Sequence, residues 1–234
     1  QRFQAWDKKR ITSLLETITY NLPLGITLLL EVDEEKFISR YLATAPETGV
    51  KVNEHLLDGQ QRLTSLWRSM HNNYETETFF IYLPEFDKED DGISNENMMT
   101  YCQGRWFKKE KKYPLWADSP SACFKKGLIP INLLRPADIK SEIDTWINAA
   151  VTNLEPNDKQ DPEFVEKFIK FNEIKTRLDK KITQLREIIS HYNLPFLALP
   201  TSTPKDIALR VFINMNTNTK PDASSHQPCF WKNI

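Results

Sequence analysis

The chain has 234 residues, 40% of them hydrophobic, and carries 31 basic against 32 acidic side chains for a net charge of −1. That is enough for one large domain or two small ones with a proper core, and near-neutrality excludes a molecule that is basic overall, so any DNA contact must use a local patch. A mean hydropathy of −0.53, no apolar stretch of ~18 residues, and a start at Gln1-Arg2-Phe3 argue against a membrane span or signal peptide and predict a cytoplasmic protein with no membrane partner.

In chain order, Ile11, Leu14, Leu15 and Ile18 fall at helical spacing and predict an amphipathic helix over 7–20 that ends before Pro23. Residues 24–32 are short and dense in Leu, Ile and Thr, which predicts a buried strand; 33–41 reads as a short helix or turn. A strand over 50–57 stops at Asp58-Gly59, and Leu63, Leu66, Trp67 and Met70 then mark one face of a helix. A strand is expected over 76–83, and the acidic stretch 84–97 reads as a surface loop. The apolar run 128–134 contains Pro130, which confines it to an edge strand or irregular structure. Helices are predicted over 139–150, from Pro162 to about Ser190, and from Pro204 to about Asn214, with a loop at 154–161 and a strand at 194–199. The long helix carries the stripe Phe164, Phe168, Phe171, Ile174, Leu178, Ile182, Leu185 and Ile189. Residues 222–234 show no periodicity and read as an irregular or truncated tail.

The stretch from Leu56 to Leu66 carries the most information. Asp58 is a good helix N-cap and Gln61 stands three places later, the spacing of a capping box. Capping does not account for Gly59 at the first helical position, where it costs up to ~1 kcal/mol against alanine, nor for Gln60 and Arg62. A helix N-terminus offers unpaired N–H groups and partial positive charge, a glycine leaves room for a phosphate, and an arginine adds a fork of donors. Asp58 beside a polyphosphate needs an intervening cation or an attacking water to aim at, so the specific form of this reading is a magnesium-dependent nucleotide. On spacing alone, a phosphate site and a plain capped helix both stand.

Leu57-Asp58-Gly59-Gln60-Gln61-Arg62-Leu63-Thr64-Ser65-Leu66 resembles the DGQQR signature of the N-terminal domain of GmrSD-type restriction endonucleases, bacterial anti-phage proteins. Gln1-Arg2-Phe3-Gln4-Ala5-Trp6 is similar to that family's opening QRxYxW pattern, with Gln4 in place of the aromatic, and is followed by a helix and Pro23-Leu24-Gly25. Phe212-Ile213-Asn214-Met215-Asn216-Thr217 is similar to its F-x-x-I-N-T segment, so the likeness runs in order to about Pro221. After Asn216-Thr217 the family usually continues with a glycine and then a leucine, whereas Thr219 and Asp222 stand here.

The resemblance implies an α/β (α+β) fold with a ParB/sulfiredoxin-like mixed-sheet core and helical additions over 1–221. It implies that the DGQQR loop binds and hydrolyses a nucleoside triphosphate with Mg2+. The matching positions make Asp58, Gln60, Gln61 and Arg62 the catalytic candidates, Asp58 also the metal ligand, and Gln1, Arg2, Gly59 and Asn216 the nucleotide-binding candidates. It further implies modified foreign DNA as partner and an HNH-type nuclease domain elsewhere in a longer protein or in a partner. A non-catalytic sensing module and an inactive, truncated remnant are the alternatives. Read as residues alone, a terminal arginine such as Arg2 is more often simply solvated, and Asn216 is equally a C-cap or turn residue.

Arg105 to Tyr113 is a basic run interleaved with aromatics, the combination that tracks a phosphate backbone and stacks bases; the alternative is a hairpin or loop whose aromatics pack inward. His55, His71, His191 and His226, like Cys102, Cys123 and Cys229, lack metal-ligand spacing, and the cysteines read as reduced thiols. No Gly-x-x-x-x-Gly-Lys loop and no Gly-x-Ser-x-Gly elbow is present. Glu173-Ile174-Lys175 has the look of a nuclease Glu-x-Lys but falls on the amphipathic helix.

Overall fold

The computed structural model describes residues 6–33, 41–47, 49–83 and 98–217. The expectations for 33–41 (beyond Asp33 and Tyr41), for 84–97 and for 222–234 lie outside the described residues, as do Gln1, Arg2, His226 and Cys229. The fold is α+β, and the chain divides into two compact units, one formed by 1–25, 40–48 and 60–195, the other by 26–39, 49–59 and 196–234.

The larger unit is built on the predicted helical stripes. In α1 (Lys8–Thr19) the side chains of Ile11, Leu14, Leu15 and Ile18 are all buried, and Asp7 caps the helix by accepting the Arg10 amide at 2.9 Å. Tyr20 ties the helix end to the sheet by donating its hydroxyl to the Met98 carbonyl. That sheet has the order β4–β3–β7, with β3 (Glu77–Tyr82) central and antiparallel to both β4 (Met99–Gly104) and β7 (Leu128–Pro130). Pro130 thus sits on an edge strand, as its missing N–H requires, and a short 3-10 turn over Ile131–Leu134 follows. Between β4 and β7 lie a two-stranded hairpin, β5 (Trp106–Lys108) and β6 (Lys111–Tyr113), and the short helix α3 (Pro120–Lys125). β4 and α3 have no counterpart among the predicted elements; in β4 only Thr100 is fully buried, so no apolar alternation marks it.

α4 (Lys140–Val151) buries Ile143, Ile147, Ala150 and Val151. α5 runs from Phe164 to Ser190, two residues after the expected start at Pro162, and buries Phe171, Leu178, Ile182 and Leu185. At ~1.5–3 kcal/mol per buried large aliphatic side chain, this stripe holds α5 on the core formed with α1, α4 and the sheet. The first two positions of the predicted stripe differ: Phe164 and Phe168 stack on each other at 6.0 Å, and Phe168 stays exposed. Periodicity marks a face, and the face here outruns the body it packs on.

The smaller unit contains a mixed three-stranded sheet in the order β2–β1–β8. β1 is Thr27–Glu31, shorter than the predicted 24–32; it pairs antiparallel with β2 (Glu54–Asp58) across a bulge at Leu28/Leu29 and parallel with β8 (Phe196–Leu199). Helix α6 (Lys205–Thr217) supplies Ala208 to a core with Leu30 and Val32, and Val52, Leu57 and Leu199 pack around them.

Candidate functional site

The five-residue signature crosses from strand to helix. Asp58 is the last residue of β2, half-buried and paired with Leu28, and helix α2 begins at Gln60 and runs to Met70. The expected geometry therefore shifts by one place: Gly59 precedes the first helical residue and does not occupy it. Gly59 takes φ +97°, a backbone that side-chain-bearing residues avoid, and this by itself requires glycine at the bend. The boundary between the two units falls between Gly59 and Gln60.

The buried face of α2 includes Met70 of the predicted stripe but is otherwise made of polar residues. Thr64, Ser65, Arg68, Ser69 and Met70 are buried, while Leu63, Leu66 and Trp67 are half-buried. α2 is in contact with α1, and a cavity of about 130 Å³ lies where the two helices and the approach to β3 meet. Gln61 lines it from α2 together with Thr64, Ser65 and Arg68, Trp6 and Lys8 from the start of α1, and Tyr74 and Glu77 from the β3 side. Trp6 belongs to the opening motif and Gln61 to the signature, so two motif segments far apart in sequence share one cavity.

The cavity wall is polar and internally bonded. The Arg68 guanidinium lies 4.2 Å from the centroid of the Tyr74 ring, and its Nη2 donates to the Asn73 carbonyl at 2.9 Å. Burial pushes the Tyr74 phenol up from its ordinary value, against a hydrogen bond with the Ser65 side chain and the nearby Arg68 charge, while Glu77 adds to the rise. Lys8 and Arg68 supply positive charge; Asp7 and Glu77 supply negative, with Asp7 engaged in capping α1 and Glu77 accepting from the Thr76 hydroxyl at 2.7 Å. A buried arginine over an aromatic face with hydroxyls beside it suits a small polar or anionic moiety. At about 130 Å³ the space is well under the ~300 Å³ at which ligand pockets begin, so it has room for a small moiety only.

Arg62 does not line that cavity. Its Nη1 donates to the Gly25 carbonyl, and a Cβ at Gly25 would stand 3.2 Å from that nitrogen. Tyr192, just past α5, donates to the Leu22 carbonyl at 2.8 Å; burial raises its phenol, a backbone hydrogen bond at Leu24 and the Arg62 charge lower it. Arg62 and the Pro23-Leu24-Gly25 loop thus form a second cluster of motif residues.

Residues 1–223 match the N-terminal domain of the GmrSD restriction endonucleases. The chain belongs to that family. No curated protein and no solved structure matches it. Of the motif positions in this GmrSD N-terminal domain, Trp6, Pro23–Gly25 and 58–62 fall as described above, and the third motif lies at the end of α6, with Phe212 and Met215 half-buried and Ile213 and Asn214 exposed; of Asn216 only its place in α6 is described.

Among the described residues no group of three or more His, Cys, Asp or Glu side chains is gathered for a metal, and no helix is long and apolar enough to cross a membrane. A magnesium ion carried on phosphates asks less of a protein, commonly one or two carboxylates, and the half-buried Asp58 fits that modest demand. His55 is buried in β2, His71 lies 3.8 Å from the Trp67 ring and is held below its ordinary value by burial and by Arg135, and His191 closes α5 through the Glu187 carbonyl. Burial pushes the Cys102 and Cys123 thiols up to about 11, which leaves them inert at neutral pH. Glu173 is 3.9 Å from Arg177, and Lys175 lies over the Phe171 ring, so Glu173-Ile174-Lys175 forms no nuclease pair.

Proposed function

We propose that this chain is the nucleoside-triphosphate-binding and -hydrolysing domain of a modification-dependent DNA restriction system. The observation that carries the reading is the convergence of Gln61 and Trp6, residues of two family motifs, on the polar cavity floored by Arg68 and Tyr74. In this reading Gln61 orients the nucleotide or the attacking water there, and Gln60 acts beside it on the first turn of α2. Arg62, anchored on Gly25, fixes the start of the helix and contributes positive charge toward the phosphates. Gly59 lets the backbone make the bend, and Asp58 holds Mg2+ or directs water. The metal's contribution is charge neutralisation on the phosphate oxygens. Gln1, Arg2 and Asn216 complete the proposed nucleotide contacts. Modified DNA, an HNH-type nuclease domain elsewhere, and a ParB/sulfiredoxin kinship of the mixed β2–β1–β8 sheet belong to the same proposal.

One observation favours a second reading, a module that senses nucleotide without turnover: an Arg62 hydrogen bond goes to backbone. Phosphate release from each triphosphate with Mg2+ separates the two. Hydrolysis that falls about 10²-fold or more in Gln61→Ala and Arg62→Ala, the usual effect of removing one positioned donor, supports the enzyme. Binding with no release supports the sensor, and release that is equal in all three proteins removes the signature from the chemistry.

A further inference from the structure

The hairpin β5–β6 presents a stacking face that the nucleotide reading does not use. Its pairing sets Trp106 opposite Tyr113 and Lys108 opposite Lys111, so by strand alternation these four side chains share one face, with Phe107 and Lys112 on the other. The Trp106 and Tyr113 rings are stacked, 6.3 Å apart and 17° from parallel. Trp106 is nevertheless 53% exposed and Phe107 63% exposed, contrary to the reading in which the aromatics of this run pack inward. Lys109 and Glu110 close the turn with φ of 49° and 62°, the left-handed pair that a two-residue hairpin turn requires.

The cations of the run divide into two groups. Arg105 is buried, held by Asp118 through both Nη atoms, by the Thr78 hydroxyl at 2.9 Å and by the Tyr113 carbonyl at 3.2 Å. Lys112 donates to the Tyr74 carbonyl at 3.0 Å. These two anchor the base of the hairpin. Lys108, Lys109 and Lys111 are exposed around the tip, with Glu110 the acidic residue among them. In a chain of net charge −1 such a local excess of positive charge next to bare aromatic faces has a chemical complement: a phosphate backbone with bases open to stacking.

We infer that the β5–β6 hairpin is a docking element for an unpaired DNA strand, Lys108 and Lys111 meeting phosphates while Trp106 stacks on a base. Bases inside a duplex already stack on each other, so an exposed tryptophan on a basic hairpin suits a strand whose bases are unstacked. DNA as the polymer follows from membership of a restriction endonuclease family. The inference does not depend on nucleotide binding by the Gln61 cavity.

The test is fluorescence anisotropy of a labelled unpaired oligonucleotide of about 12 nucleotides, within the span such sites cover, titrated with the whole chain without nucleotide across a salt series. The wild type is expected to bind, Trp106→Ala to bind about tenfold more weakly with an unchanged salt slope, and Trp106→Phe to recover most of the loss. Lys108→Ala with Lys111→Ala is expected to reduce the slope of log affinity against log salt by about 1.4, two phosphates at ~0.7 each. Thermal melting and circular dichroism confirm that each variant is folded. Absence of binding, affinity that the variants leave unchanged, or tighter binding of a duplex that ignores Trp106→Ala each overturns the inference. Because no triphosphate is present, such a result leaves the nucleotide reading standing, and a failure of phosphate release leaves this one standing.

Discussion

The cavity beside α2 and the β5–β6 hairpin use the same residue types in opposite ways. At the cavity, Arg68 and Tyr74 are buried, face each other and are bonded to their surroundings. On the hairpin, Lys108, Lys111 and Trp106 stand in solvent, and the positive charge is borne by flexible side chains. The two regions meet at a structural seam: Lys112 donates to the Tyr74 carbonyl, and the Arg105 amide to the Thr76 carbonyl at 2.7 Å. A buried cation and ring shape a fixed space, whereas exposed ones can adapt to a polymer, so environment and not residue identity separates the proposed small-moiety pocket from the proposed strand-docking surface.

The largest expected effect lies at the hairpin's base. Asp118→Ala leaves the fully buried Arg105 guanidinium without its carboxylate, and urea unfolding should show a loss of about 3 kcal/mol, the low end for breaking such a pair because Asp118 itself is 54% exposed. A loss under about 1 kcal/mol means that the hairpin is not anchored by this ion pair. Gly59→Ala comes next, at about 2 kcal/mol, since alanine must adopt φ +97° or the bend must move; an unchanged midpoint in the same measurement removes the conformational account of this glycine. Tyr74→Phe deletes the bond to Ser65 and should cost about 1 kcal/mol in thermal unfolding, with no change in oligonucleotide binding. Smallest of all, Trp106→Ala should shift stability by no more than about 0.5 kcal/mol, as expected of a surface position; a larger loss makes the Trp106–Tyr113 pair a packing feature and weakens its role as a docking face.

How far the sequence reads correctly depends on what each element answers to. α1 and the body of α5 answer to one flat core face, so helical periodicity gives both directly. α2 answers to α1 and to a polar cavity: Met70 of its apolar stripe is buried and Leu63, Leu66 and Trp67 are half-buried, while Thr64, Ser65, Arg68 and Ser69 also go inside, which periodicity does not mark. Gly59 draws attention in the sequence, but its cause is a positive φ ahead of the helix, information that only backbone geometry holds. The contact between Arg62 and Gly25 joins residues 37 apart and follows from no local pattern. In the run 105–113, composition identifies the segment, while the division into two inward cations and three outward lysines depends on strand pairing and on Asp118, which sequence alone does not place.

The most direct test of the central claim, that the family signature works on a nucleotide through the cavity at Gln61, is calorimetric titration of the wild type and Gln61→Ala with a non-hydrolysable triphosphate and Mg2+. The account predicts saturable binding by the wild type and at least about tenfold weaker binding by the variant, the equivalent of one lost charge-assisted hydrogen bond. Equal affinity in the two folded proteins, or no binding by the wild type, contradicts it.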